Sequence, residues 1–222
     1  MAKVIPFTVI CWRVALAVCA MAVSLSLCEA AEQMNLRSQL PQAPEIMPRS
    51  AWGALPAHME LLQEQKPAEI IIHHTGAMQQ AGVTLEAKMR ALQGFSMNPG
   101  RVGFVAKPAW GDILYHYYID FSGKIAEGRD ISFAADAAGS LDNDDRIQIV
   151  LEGDFEREQP TRAQLDALTK LLSWLSAAYD IPPEKITGHG DHEPTGCPGK
   201  NLRNYLGDLQ KSVSVKLTVG ER

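Results

Sequence analysis

Thirteen residues, Thr187-Gly-His-Gly-Asp-His-Glu-Pro-Thr-Gly-Cys-Pro-Gly199, hold two of the six histidines and the only cysteine beyond residue 30. Far upstream, Ile70-Ile-Ile-His73-His74-Thr75-Gly76 brings two more histidines to the end of an apolar run. Neutral imidazole and thiolate are the donors that zinc favours. A catalytic zinc site uses three of them and keeps a fourth position open. His189 and Cys197 sit eight residues apart on one loop, and Gly190, Pro194 and Gly196 permit the tight path that brings both ends to one ion. The third ligand comes from the distant strand. His74 rivals His73 there, as His192 rivals His189. Neighbours on a strand point to opposite faces, so only one of His73 and His74 can ligate, and spacing does not choose between them.

The cysteines narrow the chemistry. Cys11, Cys19 and Cys28 lie in an N-terminal apolar run, which leaves Cys197 alone in the body of the chain. A lone cysteine forms no intrachain disulfide, so it is an inert core residue, a nucleophile or a metal ligand. A nucleophile needs a base, which His189 or His192 could supply. Cys197, however, stands in a Gly-Cys-Pro turn and not at a helix start that would lower its pKa. The chain has no His-Glu-x-x-His and no Cys-x-x-Cys pair, so other zinc patterns do not fit and a zinc protease is disfavoured. Net charge is −5 with no Lys/Arg cluster, which argues against nucleic acid as a partner.

These residues need a rigid frame, and a chain of 222 residues that is 46% hydrophobic affords one domain with a sizeable core. Met1–Ala30 reads as a signal peptide: Lys3 and Arg13 precede a short apolar stretch that ends in a small-residue cleavage region. Arg13 interrupts that stretch and leaves it too short to span a membrane. Lipidation at Cys28 is the lesser alternative, because Leu27 is a poor residue before a lipidated cysteine. The folded part is therefore expected to be exported, to the periplasm or beyond the cell.

Residues 31–47 read as a linker, 48–212 as the domain and 213–222 as a tail. Glu69–Ile72 and Ile147–Leu151 are expected as buried strands. Thr84 caps a helix to Phe95, Asn98–Trp110 reads as a long surface loop, and Ile113–Asp120 forms a hairpin with Lys124–Glu127. Thr161-Arg-Ala-Gln164 is a capping box that opens a helix lasting until Pro182. Ile186–Gly188 is a brief strand and Leu202–Leu209 a closing helix. That order predicts a single α/β domain, a central mixed β-sheet flanked by helices.

Ile71-Ile-His-His-Thr75, Asp112-Ile-Leu-Tyr-His-Tyr-Tyr-Ile119, Glu127-Gly-Arg129 and Gly188-His-Gly-Asp-x-x-Pro-Thr-x-Cys-Pro-Gly199, with the opening Arg49-Ser-Ala-Trp-Gly-Ala54, together resemble the peptidoglycan recognition protein and type 2 N-acetylmuramoyl-L-alanine amidase family. The resemblance runs in order from about residue 48 to 207. It implies a zinc cleft at one face of the sheet, with His73, His189 and Cys197 as ligands and Zn2+ as cofactor. It further implies hydrolysis of the amide between the lactyl group and L-alanine in peptidoglycan or muropeptides, with Tyr115 and Thr195 as catalytic positions. The alternative within the family is a non-catalytic peptidoglycan-binding module; keeping all three ligands and Tyr115 favours the enzyme.

The chain also departs from the family. Gly190 replaces an arginine, and Asp136-Ala-Ala-Gly139 lacks a histidine found before that glycine in many members. Val150 stands where another branch has a glutamate. The absence of further cysteines in the body favours a bacterial source. His116 and His192 are read as supporting or surface groups, Glu127 and Arg129 as a structural or rim pair, and Trp52 and Trp110 as packing residues.

Overall fold

The computed structural model describes residues 41–137 and 141–220. The expected signal peptide and most of the expected linker lie outside the described residues. The strands are β1 (Ile46–Met47), β2 (Glu69–His74), β3 (Gly100–Val102), β4 (Val105–Lys107), β5 (Tyr117–Ile119), β6 (Ile125–Glu127), β7 (Arg146–Leu151) and β8 (Ile186–Gly188). The α-helices are α1 (Arg49–Trp52), α2 (Leu85–Met97), α3 (Arg162–Tyr179), α4 (Lys200–Arg203) and α5 (Leu206–Gly220).

Six strands form one sheet in the order β1-β6-β5-β7-β2-β8. Within it only β5 and β6 pair antiparallel, so the sheet is mixed, as expected. Parallel strands at the centre are covered on both faces, which suits the unbroken Ile70-Ile71-Ile72 run. Ile70, Ile72, Ile147, Ile149 and Leu151 pack against the leucines of α3 and against Leu206, Leu209 and Val213 of α5. Tyr118, Ala126 and Val150 pack on the other side against Trp52, Leu85 and Met89. Helices α2 and α3 begin where the sequence places their caps. Thr84 accepts from Ala87 N, and Thr161 and Gln164 form a reciprocal capping box. No helix among the described residues is long and apolar enough to cross a membrane.

Four segments differ from the expectation. Ile46–Met47 pairs with β6 at the sheet edge, inside the stretch read as linker. Residues 98–110 are not all loop: β3 and β4 form a hairpin closed by Gly103-Phe104. Lys107 anchors its base, donating to the carbonyls of Ser96, Asn98 and Pro108 over the ring of Trp110. The closing helix is two pieces, and α5 runs on to Gly220, into the presumed tail, with Val213 buried in the core.

The fourth difference matters most for function. Of the expected strand Ile113–Asp120, only Tyr117–Ile119 is β-structure. The buried Arg129 guanidinium donates to the carbonyls of Asp112, Ile113 and Ala134 and to the Asp136 carboxylate. Leu114 O and Tyr115 O accept Asp136 N and Arg129 N, so the carbonyls of residues 112–115 are bonded to this turn and not to a neighbouring strand. Gly128 closes the arrangement: a Cβ there would overlap the Tyr115 carbonyl oxygen. Arg129 is therefore paired with Asp136, while Glu127 accepts from Arg49 N. The two are structural, as read, but not a pair with each other.

Buried His116 locks this segment to β7: its Nδ1 accepts from Gln148 N at 2.8 Å and its Nε2 faces Phe133 O at 2.9 Å. Burial pushes its pKa from 6.5 down to about 4. A base whose folded pKa is depressed contributes stability above its unfolded pKa, and that contribution is lost as pH falls through the folded value. Urea unfolding at pH 7 and pH 4 should show wild type losing roughly 3 kcal/mol more than His116→Asn over that interval. Equal losses would show that His116 is not held neutral.

Candidate metal centre

Strands β2 and β8 run parallel, with Ile70 opposite Ile186 and Ile72 opposite Gly188. The residues that follow, His73 on β2 and His189 just beyond β8, therefore finish side by side at the carboxyl ends of the strands, a usual place for sites in α/β sheets. Alternation along β2 separates the two neighbouring histidines. His73 shares a face with Ile71 and stands opposite Val150 in the ladder, while His74 turns toward Phe155 and accepts from its N–H. The loop after His189 then folds back, with Gly190 N donating to Cys197 O at 2.8 Å.

The result is one convergent group. One donor atom each from His73, His189 and Cys197 lies within 4.8 Å of the others. His73 Nδ1 is 3.5 Å from Cys197 Sγ, and the two imidazole rings are 4.7 Å apart. Tetrahedral bonds of roughly 2.0–2.3 Å would place neighbouring donors roughly 3.5 Å apart, so the spacing suits one zinc-sized ion. A thiol–imidazole hydrogen bond would explain the His73–Cys197 distance alone, but it would not explain why His189 converges on the same point.

Electrostatics point the same way. Burial, with His189 nearby, pushes His73 down to about 3, so it is neutral at ordinary pH. Its Nε2 is engaged by Gln148 Oε1. The Gln148 amide is oriented in turn by Nε2 donating to Asn143 Oδ1 at 3.1 Å, which leaves the His73 Nδ1 lone pair facing the cluster. His189 Nε2 lies 2.6 Å from Glu193 Oε1, which likewise frees Nδ1. Burial pushes the Cys197 thiol up to about 12. Alone it would be a poor nucleophile, and a thiolate there calls for a cation beside it. The three residues thus fit a metal ion better than a cysteine nucleophile.

Tyr115 joins the group, its ring centroid 5.2 Å from that of His73. Burial raises its hydroxyl pKa well above the usual tyrosine value, with the Cys197 sulfur adding to the effect. The hydroxyl therefore stays protonated and can only donate or accept hydrogen bonds. Thr195 is exposed, and its Oγ1 accepts Cys197 N–H at 3.3 Å. This shapes the turn into the cysteine and leaves the hydroxyl proton free. The rival His192 is exposed and bonded to Thr187 Oγ1 at 2.8 Å, outside the cluster. Trp52 and Trp110 are buried packing residues.

Sequence reasoning missed three supporting residues. Gln148 was visible as the one polar residue inside the apolar run of β7, and Glu193 as the carboxylate four residues after His189. Arg203 carried no local mark. Its guanidinium, brought from α4, donates to Cys197 O at 3.2 Å and fills the space above Gly190. A Cβ at 190 would overlap that guanidinium and lie 2.9 Å from Cys197 O.

The comparisons with known proteins agree with this architecture. The N-acetylmuramoyl-L-alanine amidase family matches residues 63–200. Peptidoglycan-recognition protein SD of Drosophila simulans is 32% identical over 160 residues, covering 71% of this chain and 81% of that protein. The chain belongs to this amidase and peptidoglycan-recognition family. Among solved structures, Drosophila PGRP-SD aligns with a TM-score of 0.64 at 31% identity, covering 74% of this chain and 94% of that one. A Drosophila PGRP-LB variant in complex with tracheal cytotoxin gives 0.61 at 30% identity, covering 73% and 92%. The amidase LysC of Clostridium intestinale shares the fold, with a TM-score of 0.54 at 23% identity, covering 79% and 99%.

Gly190→Ala should displace Arg203 and strain the loop that carries two of the three candidate ligands. Thermal unfolding with a double-mutant cycle tests this. Gly190→Ala should cost about 1–3 kcal/mol in wild type and measurably less with Arg203→Ala in place. Strict additivity would show that the two residues do not meet.

Proposed function

We propose that the protein is an exported zinc-dependent N-acetylmuramoyl-L-alanine amidase that cuts the amide between the lactyl group of N-acetylmuramic acid and the L-alanine of the stem peptide. The observation that carries this reading is the convergence of His73, His189 and Cys197 beside a protonated Tyr115. Membership of the amidase family supports the reaction. The complexes of PGRP-LB and PGRP-LE with tracheal cytotoxin, a monomeric diaminopimelic acid-type peptidoglycan, support a wall-derived ligand. A binding module that has no need to cut has no need for the complete ligand set.

His73, His189 and Cys197 would hold a zinc ion, which would supply Lewis acidity and lower the pKa of a coordinated water towards ~7. The chain's own residues do the rest. His73 and His189 present Nδ1 atoms oriented through Gln148 and Glu193, and Cys197 presents sulfur from a loop held by its own carbonyl. As water adds to the lactyl carbonyl carbon, negative charge grows on the carbonyl oxygen. The Tyr115 hydroxyl, on a ring packed beside His73, is the proposed donor that meets it, and Thr195 is the proposed second donor. Collapse breaks the carbon–nitrogen bond, giving a carboxylic acid on the sugar side and, once the nitrogen has gained a proton, the free amine of L-alanine.

The test is mass spectrometry of purified peptidoglycan after digestion, with and without a zinc chelator. Stem peptides with free L-alanine amino ends should be released, and chelation or Cys197→Ala should abolish their release. Tyr115→Phe should lower kcat by about 10²–10³-fold while the protein still sediments with the wall. Fragments cut within the sugars or within the stem would overturn the amidase reading. Wall binding without any cleavage would favour a binding module instead.

A further inference from the structure

The two histidines of the cluster are held differently. His73 is backed by a neutral amide, Gln148, which is itself fixed by Asn143. His189 is backed by a carboxylate, with Glu193 Oε1 2.6 Å from Nε2, and the two side chains are only 11% and 14% exposed. Glu193 lies between the two ligands on their shared loop, four residues after His189 and four before Cys197. It is not a member of the group whose donor atoms converge within 4.8 Å, so it stands behind the ligands and not among them.

We propose that Glu193 is the positioning residue of the metal centre: its carboxylate accepts a hydrogen bond from Nε2 of His189 and aims Nδ1 at the ion. The proposal rests on the reading of His73, His189 and Cys197 as zinc ligands. A carboxylate behind an imidazole fixes its tautomer and ring orientation and makes the ligating nitrogen more basic. The charge also counts. One thiolate against a divalent ion leaves the ligand set net positive, and a carboxylate behind His189 offsets part of that charge in a partly buried place where unbalanced charge is costly. Gln148 gives His73 orientation without charge, so the two supporting groups divide the task.

The experiment is zinc affinity measured by competition with a chromophoric chelator, together with the absorption spectrum of the cobalt(II)-substituted protein. Glu193→Ala should weaken zinc binding by about 10–100-fold. Glu193→Gln keeps an oxygen that accepts from Nε2 and nearly the same shape, so it guards against misfolding. It should lose affinity by a smaller factor and keep the wild-type cobalt spectrum. Glu184→Gln, an exposed control, should match wild type. The proposal is overturned if Glu193→Ala binds zinc as tightly as wild type. It is also overturned if the Glu193→Gln spectrum shows a changed ligand set, which would make Glu193 a direct ligand. If wild type itself bound no zinc, the ligand reading would fall together with this one. Affinity is read without any turnover, so loss of the amidase assignment alone would leave the result standing.

Discussion

The parallel pairing of β7, β2 and β8 is the constraint on which the site depends. Parallel strands end at the same edge of the sheet, and register then decides which side chains meet there. With Ile72 opposite Gly188 and His73 opposite Val150, His73 and His189 arrive at one point, while Gln148 from β7 stands close enough to orient the first of them. A slip of one residue in β2 would put His74 in place of His73 and His73 in place of Ile72, on the opposite face of the sheet. The buried Ile70-Ile71-Ile72 run fixes that register through hydrophobic packing on both faces, so the core and the site are specified by the same strand.

The rest of the site is held by short polar links to this edge. The Gly190–Cys197 backbone bond closes the ligand loop, and Arg203 covers it from α4. On the other side, Arg129 and Gly128 pull the backbone before β5 out of the ladder, and His116 ties it to β7. Tyr115 is therefore presented from an irregular but rigid segment. Each link is worth only about 0.5–1.5 kcal/mol net. Their value lies in leaving few alternative positions for the tyrosine and the sulfur.

Much of this was legible in the sequence, and the reasons differ by element. Helix caps at Thr84 and Thr161, and the strand runs at 69–72 and 147–151, are local signals of a single period, and they hold. The choice of His73, His189 and Cys197 followed from family resemblance; spacing alone left His74 and His192 open, because strand register is not a local property. The break in the strand before Tyr117 was hidden because its cause, Arg129, acts from across a turn. The space above Gly190 is likewise filled by a residue that only the tertiary fold brings near. The continuation of α5 was readable: Leu206, Leu209, Val213 and Leu217 keep helical spacing, and the expectation of a tail overlooked it.

X-ray absorption at the zinc edge would show whether His73, His189 and Cys197 together hold one zinc ion. One zinc per chain is expected, with a single sulfur neighbour at about 2.3 Å and nitrogen or oxygen neighbours at about 2.0–2.1 Å, the sulfur disappearing in Cys197→Ala. A zinc shell without sulfur in the wild-type protein, or one that Cys197→Ala leaves unchanged, would contradict that ligand set.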